Sequence, residues 1–123
     1  MRKLSNDEIT EKLENRMKQF VNLTPHILNI IAADGSTVYI PPDGNRIARV
    51  SSSSFIVTTV NGINVSQQTF GDVINLPDSE EGIIYIVSRM VKDRVPDRPD
   101  VLVPGAPVRD AEGRIIGANG LSL

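Results

Sequence analysis

The chain contains no cysteine, so disulfides, thiolate metal sites and thiol nucleophiles are excluded. Its single histidine, His26, rules out a multi-histidine metal site within one subunit. No stretch approaches ~18 apolar residues, so no transmembrane helix is expected. The Lys and Arg near the N-terminus are not followed by an apolar run, so no secretory signal is expected either. No serine sits in a G-x-S-x-G elbow, and there is no Walker loop and no G-x-G-x-x-G. The net charge of -2 argues against a general nucleic-acid coat, which relies on many cationic phosphate contacts. A cytosolic protein without membrane or DNA partners is the simplest reading.

What remains is ordinary in bulk. The 123 residues suffice for one domain with its own core, and 40% hydrophobic with 23% charged residues is typical of a globular protein. The first twenty residues read as a helix. Ser5 and Glu8 have capping-box spacing, and Ile9, Leu13, Met17 and Phe20 fall on one face. That narrow apolar stripe suits a partner helix or a second subunit as well as the chain's own sheet.

From Val21 the period changes to two. Ile27–Ile31 reads as a strand covered on both faces, turning at Asp34-Gly35 into Thr37–Ile40. A short strand spans Arg46–Val50, and Ser51–Ser54 reads as a polar connector. Phe55–Val60 and Ile63–Phe70 flank Asn61-Gly62, the strongest hairpin signal in the chain. Ile83–Val87 reads as a central strand, and Ser88 as the cap of a short helix ending near Asp93. A last hairpin turns at Ala111-Glu112-Gly113. The expected fold is mainly β with α (α+β). It comprises an N-terminal helix over residues 1–21, then an antiparallel β domain over 22–123 with one short later helix, all in one domain.

The concentrated chemistry lies in the last third. Arg89, Lys92, Arg94, Arg98, Arg109 and Arg114 follow the apolar run, with Pro96 and Pro99 stiffening the segment. Guanidinium groups offer fixed forked donors that match phosphate, so arginines along loops suit an anionic small molecule. For any one arginine a solvated surface is the simpler account; for the set, an anion pocket is its equal. Asp97, Asp100 and Asp110 interleave with them and could hold the guanidinium planes or bond ribose hydroxyls. Tyr85, inside the apolar strand, is read first as a core residue and second as a stacking platform for a base. His26 is read as a histidine satisfied at a strand start, since no cysteine or second histidine is available to work with it.

The blocks NLTPHILNI, IPPDGNRIARV, NGINV, GIIYIVS, RPDVLVPG and VRDAEGRIIG, in that order from about Asn22 to Gly120, resemble the Thoeris anti-defence one family of small phage and prophage proteins. The resemblance implies a non-enzymatic sponge without cofactor, acting in the host cytoplasm. Such proteins bind cyclic ADP-ribose isomers made by bacterial TIR-domain immune proteins and sequester them uncleaved. Members are also associated with cyclic trinucleotides, and they assemble as dimers and hexamers with ligand held between subunits. By the same resemblance Tyr85 meets adenine, and Arg109 and Arg114 meet phosphate. Arg89, Asp97 and Arg98 complete the expected nucleotide-binding set. The stretch around Pro96-Asp97-Arg98 lacks an asparagine that some members carry. Two rivals stand beside this reading: a nucleotide phosphodiesterase using carboxylates and a metal, and a structural phage component without a small ligand.

Overall fold

The computed structural model describes Ser5 and residues 18–123. Within them the chain forms eight strands and one short helix. The strands are β1 (Gln19–Asn22), β2 (Leu28–Ile31), β3 (Thr37–Ile40), β4 (Arg49–Val60), β5 (Ile63–Ile74), β6 (Ile83–Ile86), β7 (Val101–Arg109) and β8 (Ile115–Ser122). The helix, α1 (Arg89–Arg94), lies between β6 and β7. Six strands make one sheet in the order β1-β6-β7-β8-β2-β3, and β4 and β5 form a separate two-stranded ribbon.

The six-stranded sheet curls until its ends nearly meet. Asn22, at the end of β1, bridges to Pro42 just beyond β3. The Asp43 N–H donates to the Asn22 carbonyl at 2.8 Å, and the Asn22 side-chain amide donates to the Ile40 carbonyl at 3.0 Å. Closing a sheet in this way leaves few free edges, which are otherwise templates for unwanted pairing.

The expected α+β class with an antiparallel sheet is therefore corrected. The described residues are strand-rich, and the sheet is mixed. β1 pairs β6 in parallel, β6 pairs β7 in parallel, and β2 pairs β8 in parallel. Apolar alternation reports that a segment is a strand but not the direction of its neighbour, so an all-hairpin reading missed the crossovers. The α1 crossover is what allows β6 and β7 to run the same way. Most of the helix expected over 1–21 lies outside the described residues. Its end does not: Gln19–Asn22 is strand, in register with Ile83–Ile86. Phe20 and Val21 favour extended backbone, and pairing with β6 decides in favour of it.

The reading of Ser51–Ser54 as a connector is also corrected. These serines are continuous β4, paired with Thr69 opposite Ser53 and Gln68 opposite Ser54. Ser52 to Ser54 face solvent on a ribbon that needs no apolar partner at those positions, so low hydrophobicity did not end the strand.

The main core gathers Leu23, Ala48, Tyr85, Val87, Val91, Val101 and Val103, and a smaller one holds Ile30, Ile40 and Ile86. β6 contributes to both, as expected of its central place. The Ser88 hydroxyl caps α1 by accepting from the Val91 N–H, and Lys92 and Arg94 stand in the last turn, where cations favour the helix dipole.

Candidate functional site

The six expected nucleotide-binding residues fall into separate places. Tyr85, Arg98 and Asp97 belong to one. Tyr85 is 1% exposed in β6, and the Arg98 guanidinium carbon lies 5.9 Å from its ring centroid. Burial pushes the Tyr85 hydroxyl above its ordinary pKa, with nearby Glu80 adding to the effect. Arg98 is itself fully engaged. Its Nε and Nη2 donate to the two carboxylate oxygens of Asp100 at 3.2 and 2.8 Å, and its Nη1 donates to the Pro77 carbonyl at 2.9 Å. Such a bidentate fork fixes the guanidinium plane. Burial alone would raise the Asp100 carboxyl, but the Arg98 and Ser79 hydrogen bonds outweigh it and hold the carboxyl below its ordinary range.

Lys92 locks the same turn from beneath. It is 4% exposed, and its ammonium donates to the Arg98 carbonyl at 2.7 Å. Its burial lowers the ammonium pKa, opposed by Asp100. Asp97 sits half-buried in this turn. The cluster of Tyr85, Lys92, Arg98 and Asp100 thus supports the fold around the β6–β7 crossover. Tyr85 offers no open ring face here.

Arg89, at the start of α1, donates to the Leu123 carbonyl at 3.2 Å and lies 3.8 Å from Asp93. Among the described contacts it joins neither of the other groups.

Arg109 and Arg114 come together in the β7–β8 turn, as the sequence suggested. Asp110 organises that turn: its Oδ1 accepts from the Glu112 and Arg114 N–H groups at 2.9 and 3.0 Å. Arg114 pairs with Asp110 and Glu112, yet its side chain is 72% exposed. Arg109 differs. Its Nη1 donates to the Gly113 carbonyl at 2.7 Å, and no carboxylate among the described residues pairs with it. The fork is held by the backbone while its charge is uncompensated.

Beside this turn lies a feature that sequence reasoning missed. A groove of about 610 Å³ runs over β2, β7 and β8. Gly105, Gly117 and Ala118 lie along it, flanked by Ile27, Leu28, Pro104, Pro107, Ile115 and Ile116. The strands come so close here that glycine is required. A Cβ on Gly105 would stand 2.1 Å from the Asn119 carbonyl oxygen, and one on Gly117 would stand 2.8 Å from the Asn29 carbonyl oxygen. Small residues leave the space, and branched and cyclic residues wall it.

Register connects groove and arginine. Arg109 pairs with Ile115, and Pro107 pairs with Ala118. Side chains two apart on a strand share a face, and paired residues share it too. The β7–β8 register shifts between Val108 and Arg109, but along β7 itself Arg109 is on the face that carries Pro107, which lines the groove. The sequence signals were the PGAP run of β7 and the paired isoleucines directly after Arg114.

No three His, Asp or Glu side chains among the described residues cluster closely enough to hold a metal ion. None of the described helices is long and apolar enough to cross a membrane. No family model, no curated protein and no solved structure matches the chain.

Proposed function

We propose that this protein is a non-enzymatic sponge that binds a cyclic ADP-ribose-type nucleotide and withholds it, uncleaved, from an immune receptor in the host cytoplasm. The observation that carries the reading is the position of Arg109: a guanidinium without a carboxylate partner, on the same strand face as the apolar groove. A nucleotide presents a flat apolar base and a diphosphate, and this surface offers one region for each. The groove volume lies within the range of small-molecule sites, roughly 300–1,000 Å³. Arg109 donates to one phosphate, and the exposed Arg114 of the same turn serves the other. A charge-assisted bond of this kind contributes about 1.5–3 kcal/mol. The ordered blocks over residues 22–120 that resemble the Thoeris anti-defence one family support the same reading.

In this arrangement the base lies against Pro107, Ile115 and Ile116 rather than on Tyr85, which the protein uses inside its core. Sequestration needs only affinity, and the site residues assigned here are donors and apolar walls.

The test is recovery of the ligand. The protein is incubated with a cyclic ADP-ribose isomer, freed of unbound nucleotide and heat-denatured, and the released material is resolved by chromatography. Stoichiometric intact nucleotide supports a sponge. A linearised product, or no retained nucleotide across the panel of isomers, overturns it.

A further inference from the structure

The β4–β5 ribbon reaches its tip at Asn61-Gly62, one of two Asn-Gly pairs in the chain; the other is Asn119-Gly120. Asparagine before glycine is chemically labile. The backbone nitrogen of the next residue attacks the side-chain amide, and glycine has no Cβ to block the approach. Every other asparagine of the chain precedes a larger residue. The sequence does not separate the two pairs, but their places in the fold do.

The tip favours the reaction. Asn61 and Gly62 are both exposed, so water and hydroxide reach them. Both have positive φ, 50° and 78°, as a two-residue type I′ turn requires, and the ladder closes at Val60 and Ile63. The turn residues lie outside that ladder. Among the described residues, the Gly62 N–H makes no backbone hydrogen bond and the Asn61 amide has no partner. Cyclisation also needs rotation about the Asn61 Cα–C bond. Val50 and Val73 anchor the base of the ribbon to the main core, but every residue from 52 to 72 is exposed. Local opening costs least where so few buried contacts hold the backbone.

Asn119 is held quite differently. It stands within β8, paired with Ile31 of β2 on one side and Ala106 of β7 on the other. Its carbonyl oxygen lies 2.1 Å from the Cβ position of Gly105. The same rotation there would open the sheet. Asn75 shares a positive φ, 63°, but donates its amide to the Ile47 carbonyl at 3.1 Å and precedes Leu76.

We infer that Asn61 is a deamidation site, at which the folded protein converts the tip of its own ribbon to aspartate or isoaspartate. Hydroxide removes the Gly62 N–H proton, and the nitrogen bonds to Asn61 Cγ. The Cγ–Nδ2 bond breaks, and Nδ2 takes a proton from water and leaves as ammonia. Water then opens the cyclic imide, giving its hydroxyl to a carbonyl carbon and its other proton to the Gly62 nitrogen. Opening at Cγ yields aspartate; opening at the Asn61 backbone carbonyl yields isoaspartate. Either carboxyl ionises at neutral pH, which places a charge between Val50 and Gly71, where the sequence has no Asp, Glu, Lys or Arg. Isoaspartate also routes the main chain through Cβ and Cγ, which lengthens a turn whose length fixes the hairpin register. The ribbon thus carries a built-in change of charge and register with age. This does not rest on the nucleotide reading.

Peptide mapping by mass spectrometry tests it. The full chain is incubated at mildly alkaline pH, folded and in urea, and sampled over days. Conversion exchanges NH2 for OH and is read as the mass difference between them. Methyl transfer by an isoaspartyl carboxyl methyltransferase reports the isoaspartyl share. In urea the two Asn-Gly pairs react at similar rates. In the folded chain Asn61 keeps most of its rate, while Asn119 slows by roughly tenfold or more because its strands must open first. Asn61→Gly, which suits the same turn, removes the folded-state product. Should that variant not fold, the wild-type rates decide alone. No product at Asn61 in the folded chain overturns the inference. So does slowing of Asn61 by as much as Asn119, or an undiminished acidic species in folded Asn61→Gly.

Discussion

The Arg98 guanidinium covers the Tyr85 ring at 5.9 Å from its centroid, while Asp100 holds Arg98 by two hydrogen bonds. One aromatic, one cation and one anion thus stack at the β6–β7 crossover. The ring belongs to the core, so Tyr85→Ala removes core volume and costs roughly 3–5 kcal/mol of stability. Tyr85→Phe keeps the ring and costs far less. Denaturant unfolding of the two variants checks this; unchanged stability in Tyr85→Ala would contradict the core role.

Asp100 gives the account a pH dependence. Its folded carboxyl lies below its ordinary range, so its contribution to stability is full above the unfolded pKa and is lost as pH falls through the folded one. The Arg98 and Asp100 side chains are 23% and 13% exposed, so solvent screens the pair only in part. Asp100→Asn leaves Arg98 with an uncompensated charge and costs roughly 2–4 kcal/mol near neutral pH. The difference from wild type narrows in acid, below about pH 4. A difference that stayed constant from pH 7 down to strong acid would remove the ion pair from the account.

Asn22 draws the two ends of the curled sheet together. Its amide nitrogen donates to the His26 and Ile40 carbonyls at 2.7 and 3.0 Å, and its amide oxygen accepts from the Thr24 N–H and hydroxyl at 2.9 and 2.7 Å. Asn22→Ala strands these buried partners and costs roughly 2–4 kcal/mol, since each unsatisfied group carries a penalty of its own. Thermal unfolding reads the loss. A melting temperature equal to that of wild type would show that closure does not depend on this side chain.

Gly105 sets the closeness of β7 and β8. With its Cβ position 2.1 Å from the Asn119 carbonyl oxygen, Gly105→Ala forces the strands apart. Overpacking of this kind costs about 1–3 kcal/mol, and it reshapes the groove with it. Nucleotide affinity should fall together with stability. Gain of stability in Gly105→Ala would show that the strands separate freely.

Local chemistry was legible in the sequence wherever it was local in space. The Ser88 cap, the turns at Asp34-Gly35 and Asn61-Gly62, the β7–β8 hairpin and the central place of Ile83–Ile86 all follow from residues within a few positions of one another. The parallel pairings do not, because the partners of β6 and β8 are chosen by the whole sheet. The Asn22 latch was hidden for the same reason: NLTPH reads as a strand start until Ile40 and Pro42 arrive beside it. Arg109 and Arg114 were legible as neighbours across a turn, whereas Tyr85 and Arg98 had to be seen packed before either could be placed. The groove was invisible because Ile27 and Ile115 come to line one surface only once β2 lies against β8.

The central claim is that Arg109 and the adjacent groove bind a cyclic ADP-ribose-type nucleotide, and calorimetric titration of wild type and Arg109→Ala tests it most directly. The predicted result is saturable binding to wild type and an affinity weaker by roughly tenfold or more in Arg109→Ala, the equivalent of one lost charge-assisted bond, with the melting temperature unchanged. Equal affinity in the two proteins, or no heat of binding with any isomer, would contradict it.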